Sequence, residues 1–120
     1  MRARDADALH QVAVNLLLNA LQAMPNGGTL SLGVLAGPTP DEVELRIADT
    51  GHGIGPADLP HLFEPFFTTK TTEQDPNRRG SGLGLSVSYG IVTAHGGRLE
   101  VESQLGVGTT FRVRLPRHRP

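Results

Sequence analysis

The sequence predicts one domain of the α+β class, ordered helix, hairpin, loop, helix, hairpin. Three observations predict it. Apolar residues recur at helical spacing in two stretches, Asp7 to Met24 and Leu83 to Ala94. Four short stretches read as strands, arranged in two consecutive pairs. Helices do not alternate with single strands, so the order is not that of a doubly wound parallel sheet.

In the first helix, Leu9, Val12, Ala13, Leu16, Leu17, Ala20 and Ala23 supply the apolar period. Asp5 or Asp7 offers an N-cap and first-turn negative charge, and Pro25-Asn26-Gly27-Gly28 stops the helix. Leu30, Leu32 and Val34 then alternate with Thr29, Ser31 and Gly33. After a turn at Gly37-Pro38-Thr39-Pro40-Asp41, the stretch Glu42 to Asp49 sets Val43, Leu45 and Ile47 against Glu42, Glu44 and Arg46. These two strands form the first hairpin. Beyond the glycine loop Gly51 to Gly55, Pro56-Ala57-Asp58-Leu59 is suited to open a short helix. From Phe63 to Gly82 no period is visible, and Thr68 to Gly80 is polar with Pro76 inside it. Loops this long within compact domains are usually functional or disordered. The second helix has Leu85, Val87, Ile91 and Val92 for its core face and His95-Gly96-Gly97 as its C-terminal cap. Arg98 to Ser103 and Thr109 to Leu115 make the second hairpin, turning at Gln104-Leu105-Gly106-Val107-Gly108.

Composition narrows the function. The 120 residues suit a single core, and twelve acidic against eleven basic residues leave a formal charge of -1. No basic excess of the kind nucleic-acid binders use is present. With no cysteine, disulfide scaffolds, thiolate zinc sites and cysteine nucleophiles are excluded. No apolar run approaches the ~18 residues of a membrane span and no signal peptide is visible, so the expected compartment is the cytoplasm, without membrane contact. Fifteen glycines are about twice the usual share, and they are clustered. Only four Phe and one Tyr are aromatic, which leaves the core to Leu, Val, Ile and Ala.

Three clusters carry chemistry. Asn15 and Asn19 lie four apart and share one face of the first helix. Asparagine is a mediocre helix former, so the pair is either a solvated stripe or a pair of amide oxygens aimed at a hard cation. Asp49-Thr50-Gly51-His52-Gly53 ends a strand and enters a loop. It is either an ordinary turn, or a carboxylate that accepts hydrogen bonds from an amine such as the exocyclic nitrogen of adenine, beside glycines that let a flat ring approach. Gly80-Ser81-Gly82-Leu83-Gly84-Leu85 opens the second helix. It is either a flexible lead-in or an anion site, since exposed N–H groups and the helix dipole favour phosphate there.

Several nucleotide and hydrolase signatures are absent. Counted as G-x-G-x-x-G, the third glycine would fall on Pro56 or Leu85, and no Gly-Lys-Ser/Thr phosphate loop occurs. There is no Gly-x-Ser-x-Gly elbow, and His10, His52, His61, His95 and His118 lack metal spacing.

Four motifs in fixed order resemble the ATP-binding catalytic domain of sensor histidine kinases. The N box is Gln11 to Ala20, the first glycine box Asp49 to Gly55, the F box Leu62 to Lys70, and the second glycine box Gly80 to Leu85. The resemblance continues through His95-Gly96-Gly97 and from Gly106 to Phe111, covering nearly the whole chain. The run Pro65 to Lys70 looks most like kinases of the nitrogen-regulation type.

The resemblance implies a Bergerat ATP-binding fold: a two-layer sandwich with a mixed β-sheet under a helical layer. It implies ATP and Mg²⁺ as cofactors, with Asn19 on the metal and Asn15 beside the phosphates. Asp49 would accept from the adenine amine, with Gly51, Gly53 and Ile54 around the ring. Gly80, Ser81, Gly82, Leu83, Gly84 and Leu85 would meet the phosphates, with ATP held between the helices and a lid whose near end Phe63 and Phe66 would anchor, and Lys70 would contact a phosphate. Related ATPases carry a Glu where Asn15 stands, and an amide cannot act as a general base toward water, which favours transfer over hydrolysis. The implied partners are a histidine-bearing dimerisation domain and a response regulator. None of the five histidines has the context of the phospho-acceptor, so the acceptor is expected on another domain. Met1 stands only a few residues before the N box, so residues 1–120 are expected to be a catalytic domain lacking its usual first helix and strand, with an exposed sheet edge or apolar patch. The rival readings are a serine kinase of the anti-sigma type on the same fold, an ATP-gated binding module, and an interaction domain without ATP.

Overall fold

The computed structural model of the chain describes residues 3–37, 39–63 and 83–116. In chain order these form α1 (Ala3–Gln22), β1 (Leu30–Ala36), β2 (Glu42–Asp49), a 3₁₀ turn (Leu59–His61), α2 (Leu83–Ala94), β3 (Arg98–Gln104) and β4 (Gly108–Pro116). The helical periods and the two hairpins of the sequence are thus realised. The short helix expected from Pro56 is reduced to the 3₁₀ turn, where Asp58 makes no side-chain cap.

The four strands lie in the order β1-β2-β4-β3. Each neighbouring pair is antiparallel, with Ile47 opposite Phe111 and Val101 opposite Phe111 on the far side. Where the family resemblance implies a mixed sheet, the described strands pair antiparallel throughout. The crossover through α2 does return the chain parallel to β2, but β4 is inserted between β2 and β3, so no two neighbours run parallel.

Both helices cover one face, α1 over β2 and α2 over β3, and they pack on each other. Alternation along the strands sends Ile47, Leu99, Phe111 and Val113 into that interface, where they meet Val12, Leu16, Ala20 and Val92. This is the two-layer sandwich. The buried face of α2 is set by Leu85, Ser88 and Val92, at spacings of three and four. Val87, expected in the core, is 45% exposed because it lies one residue off that face. Gly96, at φ +75°, ends α2 as the left-handed cap foreseen in the sequence. Its N–H reaches Thr93 O, while that of Gly97 reaches Val92 O at 2.9 Å.

β1 departs from the half-buried alternation of its sequence. Leu32 and Val34 are 60% and 73% exposed, because β1 is the outermost strand, beyond the one that α1 covers. On the helix-free face, Glu42, Glu44, Arg46, Glu100, Glu102, Arg98, Arg112 and Arg114 form a lattice of alternating charge. Its centre is Glu44, fully buried and held by Arg114 Nε at 3.0 Å and Arg46 Nε at 2.9 Å. Burial pushes the Glu44 carboxyl up, yet the hydrogen bonds from Arg114 and Arg46 and their charges outweigh this and hold it below its usual range. No helix among the described residues is long and apolar enough to cross a membrane.

Candidate nucleotide-binding site

Among the described residues the predicted site residues come from the asparagine face of α1, the loop after β2, the first turn of α2 and Phe63 after the 3₁₀ turn. Asp49 continues the inward set of Val43, Leu45 and Ile47, so the strand period places a carboxylate at the core edge, only 7% exposed. Its Oδ1 accepts the Gly51 N–H at 2.8 Å, and among the described residues Oδ2 accepts no hydrogen bond, so it can receive another donor.

The following loop is clamped from two sides. On one side the His52 N–H donates to Ala23 O at the end of α1, at 3.1 Å. On the other, Gly106 N–H donates to His52 O at 2.9 Å and Ile54 N–H to Ser103 Oγ at 2.7 Å. The Ser103 hydroxyl also donates to Gly108 O and shares a hydrogen bond with Thr109 Oγ1, which completes its capacity. This clamp gives the glycines a reason distinct from ring approach. A Cβ at residue 51 would lie 2.3 Å from Ala23 O, and one at residue 53 would lie 2.2 Å from Gln104 O. Gly53 also needs its φ of +76°.

Asn15 bridges the helices. Its Nδ2 donates to Gly84 O at 3.3 Å and to Ser88 Oγ at 3.2 Å, and its Oδ1 accepts from Gln11 Nε2 at 2.9 Å. Asn19 lies one turn further along α1, half-buried. Ile54 is buried, and Leu85 packs its side chain against the core, so both offer a ligand mainly their backbone. Phe63 stacks on Tyr89, centroids 5.1 Å apart, and also packs against the core. At Gly84 an added Cβ would meet nothing among the described residues. Phe66, Lys70, Gly80, Ser81 and Gly82, the run Pro65 to Lys70 and the polar stretch Thr68 to Gly80 lie outside the described residues, and only the backbone of Leu83 lies within them.

Sequence reasoning overlooked Ser88, Ser103 and the hydrogen-bonding part of Gln11. Ser88 left one trace, a small polar residue at the spacing of Leu85 and Val92. Ser103 left none.

The donor set fits a magnesium nucleotide. Amide oxygens are acceptable ligands for a hard cation, and a neutral pair compensates little of its charge, so such a cation would arrive with phosphates rather than alone.

A buried carboxylate and a clamped glycine loop at a strand end of the sheet layer, beside an asparagine-bearing helix of the other layer, mark an ATPase-type nucleotide domain. The chain belongs to the family of histidine kinase-, DNA gyrase B- and HSP90-like ATPases, which it matches over residues 4–119. It is 43% identical to sensor kinase CckA of Brucella abortus, over 94% of this chain and 13% of that protein. It is likewise 43% identical to sensor histidine kinase ZraS of Escherichia coli, over 93% of this chain and 22% of that protein. Among solved structures, the mycobacterial sensor histidine kinase MprB superposes with a TM-score of 0.77 at 32% identity, covering 94% of this chain and 73% of that one. Full-length ShkA in complex with AMPPNP gives 0.75 at 30%, covering 91% of this chain and 21% of that one. The chain thus spans a minor part of its curated relatives, and it is the ATPase domain of sensor-histidine-kinase type, for which the family implies ATP.

Proposed function

We propose that this domain binds Mg²⁺-ATP and presents the γ-phosphate for transfer to a histidine on a separate dimerisation domain, in cytoplasmic two-component signalling with a response regulator downstream. The observation that carries the reading is Asp49, a buried carboxylate with one oxygen engaged by its own loop and one left to accept. An adenine amine supplies the matching donor, whereas guanine presents an oxygen at the equivalent position, acceptor against acceptor. The binding of AMPPNP, an ATP analogue, by the relative ShkA supports the same nucleotide.

Around that anchor, Asn19 is the metal ligand and Asn15 stands beside the phosphates. Bound Mg²⁺ would neutralise charge on the phosphates during transfer. Gly80, Ser81, Gly82, Leu83, Gly84 and Leu85 bring backbone N–H groups toward the phosphates, and Lys70 adds a positive charge. Phe63 and Phe66 would anchor the near end of the segment that follows them. Residue 15 is an amide and cannot take a proton from water, so a bound nucleotide is kept for another acceptor. Residues 1–120 act in this reading as the catalytic domain of a longer kinase.

Titration calorimetry tests it. ATP is expected to bind and GTP to bind at least about tenfold more weakly, as an unpaired buried acceptor requires. Asn19→Ala is expected to leave affinity in EDTA unchanged while shrinking the gain on adding Mg²⁺. Absence of ATP binding refutes the proposal, and an undiminished Mg²⁺ gain removes Asn19 from the metal.

A further inference from the structure

We infer that Ser88 is a positioning residue of this site, helping to hold the Asn15 amide in the orientation that the accept-only Gly84 carbonyl selects, and so fixing which amide atom the nucleotide meets. The inference rests on the ATP reading above and adds to it a residue that makes no contact with the nucleotide itself.

Ser88 is fully buried on the face of α2 turned toward α1. Its hydroxyl accepts one Asn15 Nδ2 hydrogen at 3.2 Å, and Gly84 O accepts at 3.3 Å. A carbonyl oxygen can only accept, so the nitrogen end of the amide must be the end that faces α2. Two acceptors for its two hydrogens pin the nitrogen there. Because the amide is planar, Oδ1 is turned to the other side, where Gln11 Nε2 meets it at 2.9 Å. An oxygen in that place has a lone pair left for a donor or a cation, whereas a nitrogen would repel a cation. Without Ser88, one N–H would lose its acceptor at a partly buried helix contact, and only the longer bond to Gly84 would hold the orientation. The same link ties α1 to the first turn of α2, the end of the second glycine box.

A serine between packed helices has a blander use, as a small residue that lets them approach. The two roles differ in what they demand. Packing needs volume, and positioning needs an acceptor.

Ser88→Ala, which nearly conserves volume, Ser88→Cys, which replaces the hydroxyl with a larger and weaker acceptor, Asn15→Ala and the two double variants separate them, in titrations of the 120-residue chain with Mg²⁺-ATP and with ATP in EDTA. Ser88→Ala and Ser88→Cys are both expected to weaken Mg²⁺-ATP binding about fivefold, the worth of one net hydrogen bond, and to affect binding in EDTA less. On the Asn15→Ala background the same changes should alter affinity less than about twofold, since the partner is already gone. A Ser88→Cys chain that binds like the parent, or an equal loss on both backgrounds, overturns the positioning role alone. A parent chain that fails to bind Mg²⁺-ATP overturns it together with the ATP reading.

Discussion

At the scale of single residues, the proposed reading gives Asp49 a second job, accepting from adenine, beside its observed bond to the Gly51 N–H, and substitution can separate the two. Asp49→Ala removes the acceptor for adenine and also the bond to the Gly51 N–H. Asp49→Asn retains an oxygen for Gly51 and turns an N–H₂ toward the base. ATP affinity should fall about 5- to 150-fold in either variant, the cost of about 1–3 kcal/mol for a buried polar group left unpaired. GTP should discriminate them, since only the asparagine offers a donor to the guanine oxygen. Calorimetry with both nucleotides measures this, and a change below twofold for ATP would take Asp49 out of base recognition. Asp49, Asn15 and Asn19 were legible in the sequence because each puts a polar group where the local period calls for something else. Ser88 was not, because its partner Asn15 lies 73 positions away and nothing near Ser88 reports that contact. Gly51 and Gly53 were legible as necessary, but for a neighbour that is also non-local, the backbone at Ala23 and Gln104.

At the scale of elements, β2 and α2 begin and end where alternation, period and the glycine cap place them, since those signals are local. The exposure of β1 was not legible, because it depends on the strand order, and order is decided by contacts distant in sequence. Val34, at 73% exposure on an edge strand with no charge from Leu30 to Ala36, marks an association hazard. Val34→Lys should change stability by less than about 0.5 kcal/mol and reduce concentration-dependent light scattering. The charge lattice on the outer sheet face gives a second prediction. Glu44 ionises below its usual range in the folded chain, so its contribution is complete above the unfolded carboxylate range and is lost as pH falls through the folded value. Glu44→Gln should therefore cost about 1–2 kcal/mol at neutral pH, moderated by the partial exposure of Arg46 and Arg114, and should flatten the acid limb of stability. Denaturant melts from pH 7 to pH 3 measure both, and parallel curves for parent and variant would deny Glu44 that part.

For the whole molecule, the decisive feature is what the sandwich holds together and what it omits. In the proposed reading the clamped loop and the linked helices fix a nucleotide, yet residue 15 offers no base for water, and no histidine in the chain has the context of an acceptor. The chain alone should therefore neither hydrolyse ATP quickly nor label itself. Label should pass to an added dimerisation domain bearing its histidine, preferably from the same parent kinase. Transfer between separate molecules should be slow, because a covalent tether normally supplies an effective concentration on the order of mM. Incubation with γ-labelled ATP, with and without that domain, followed by an acid-lability test of the product, distinguishes the outcomes. Acid-labile label confined to the added domain is expected for phosphohistidine. Label on this chain alone, or acid-stable label on a serine of the added protein, would replace histidine transfer with serine-kinase chemistry on the same fold.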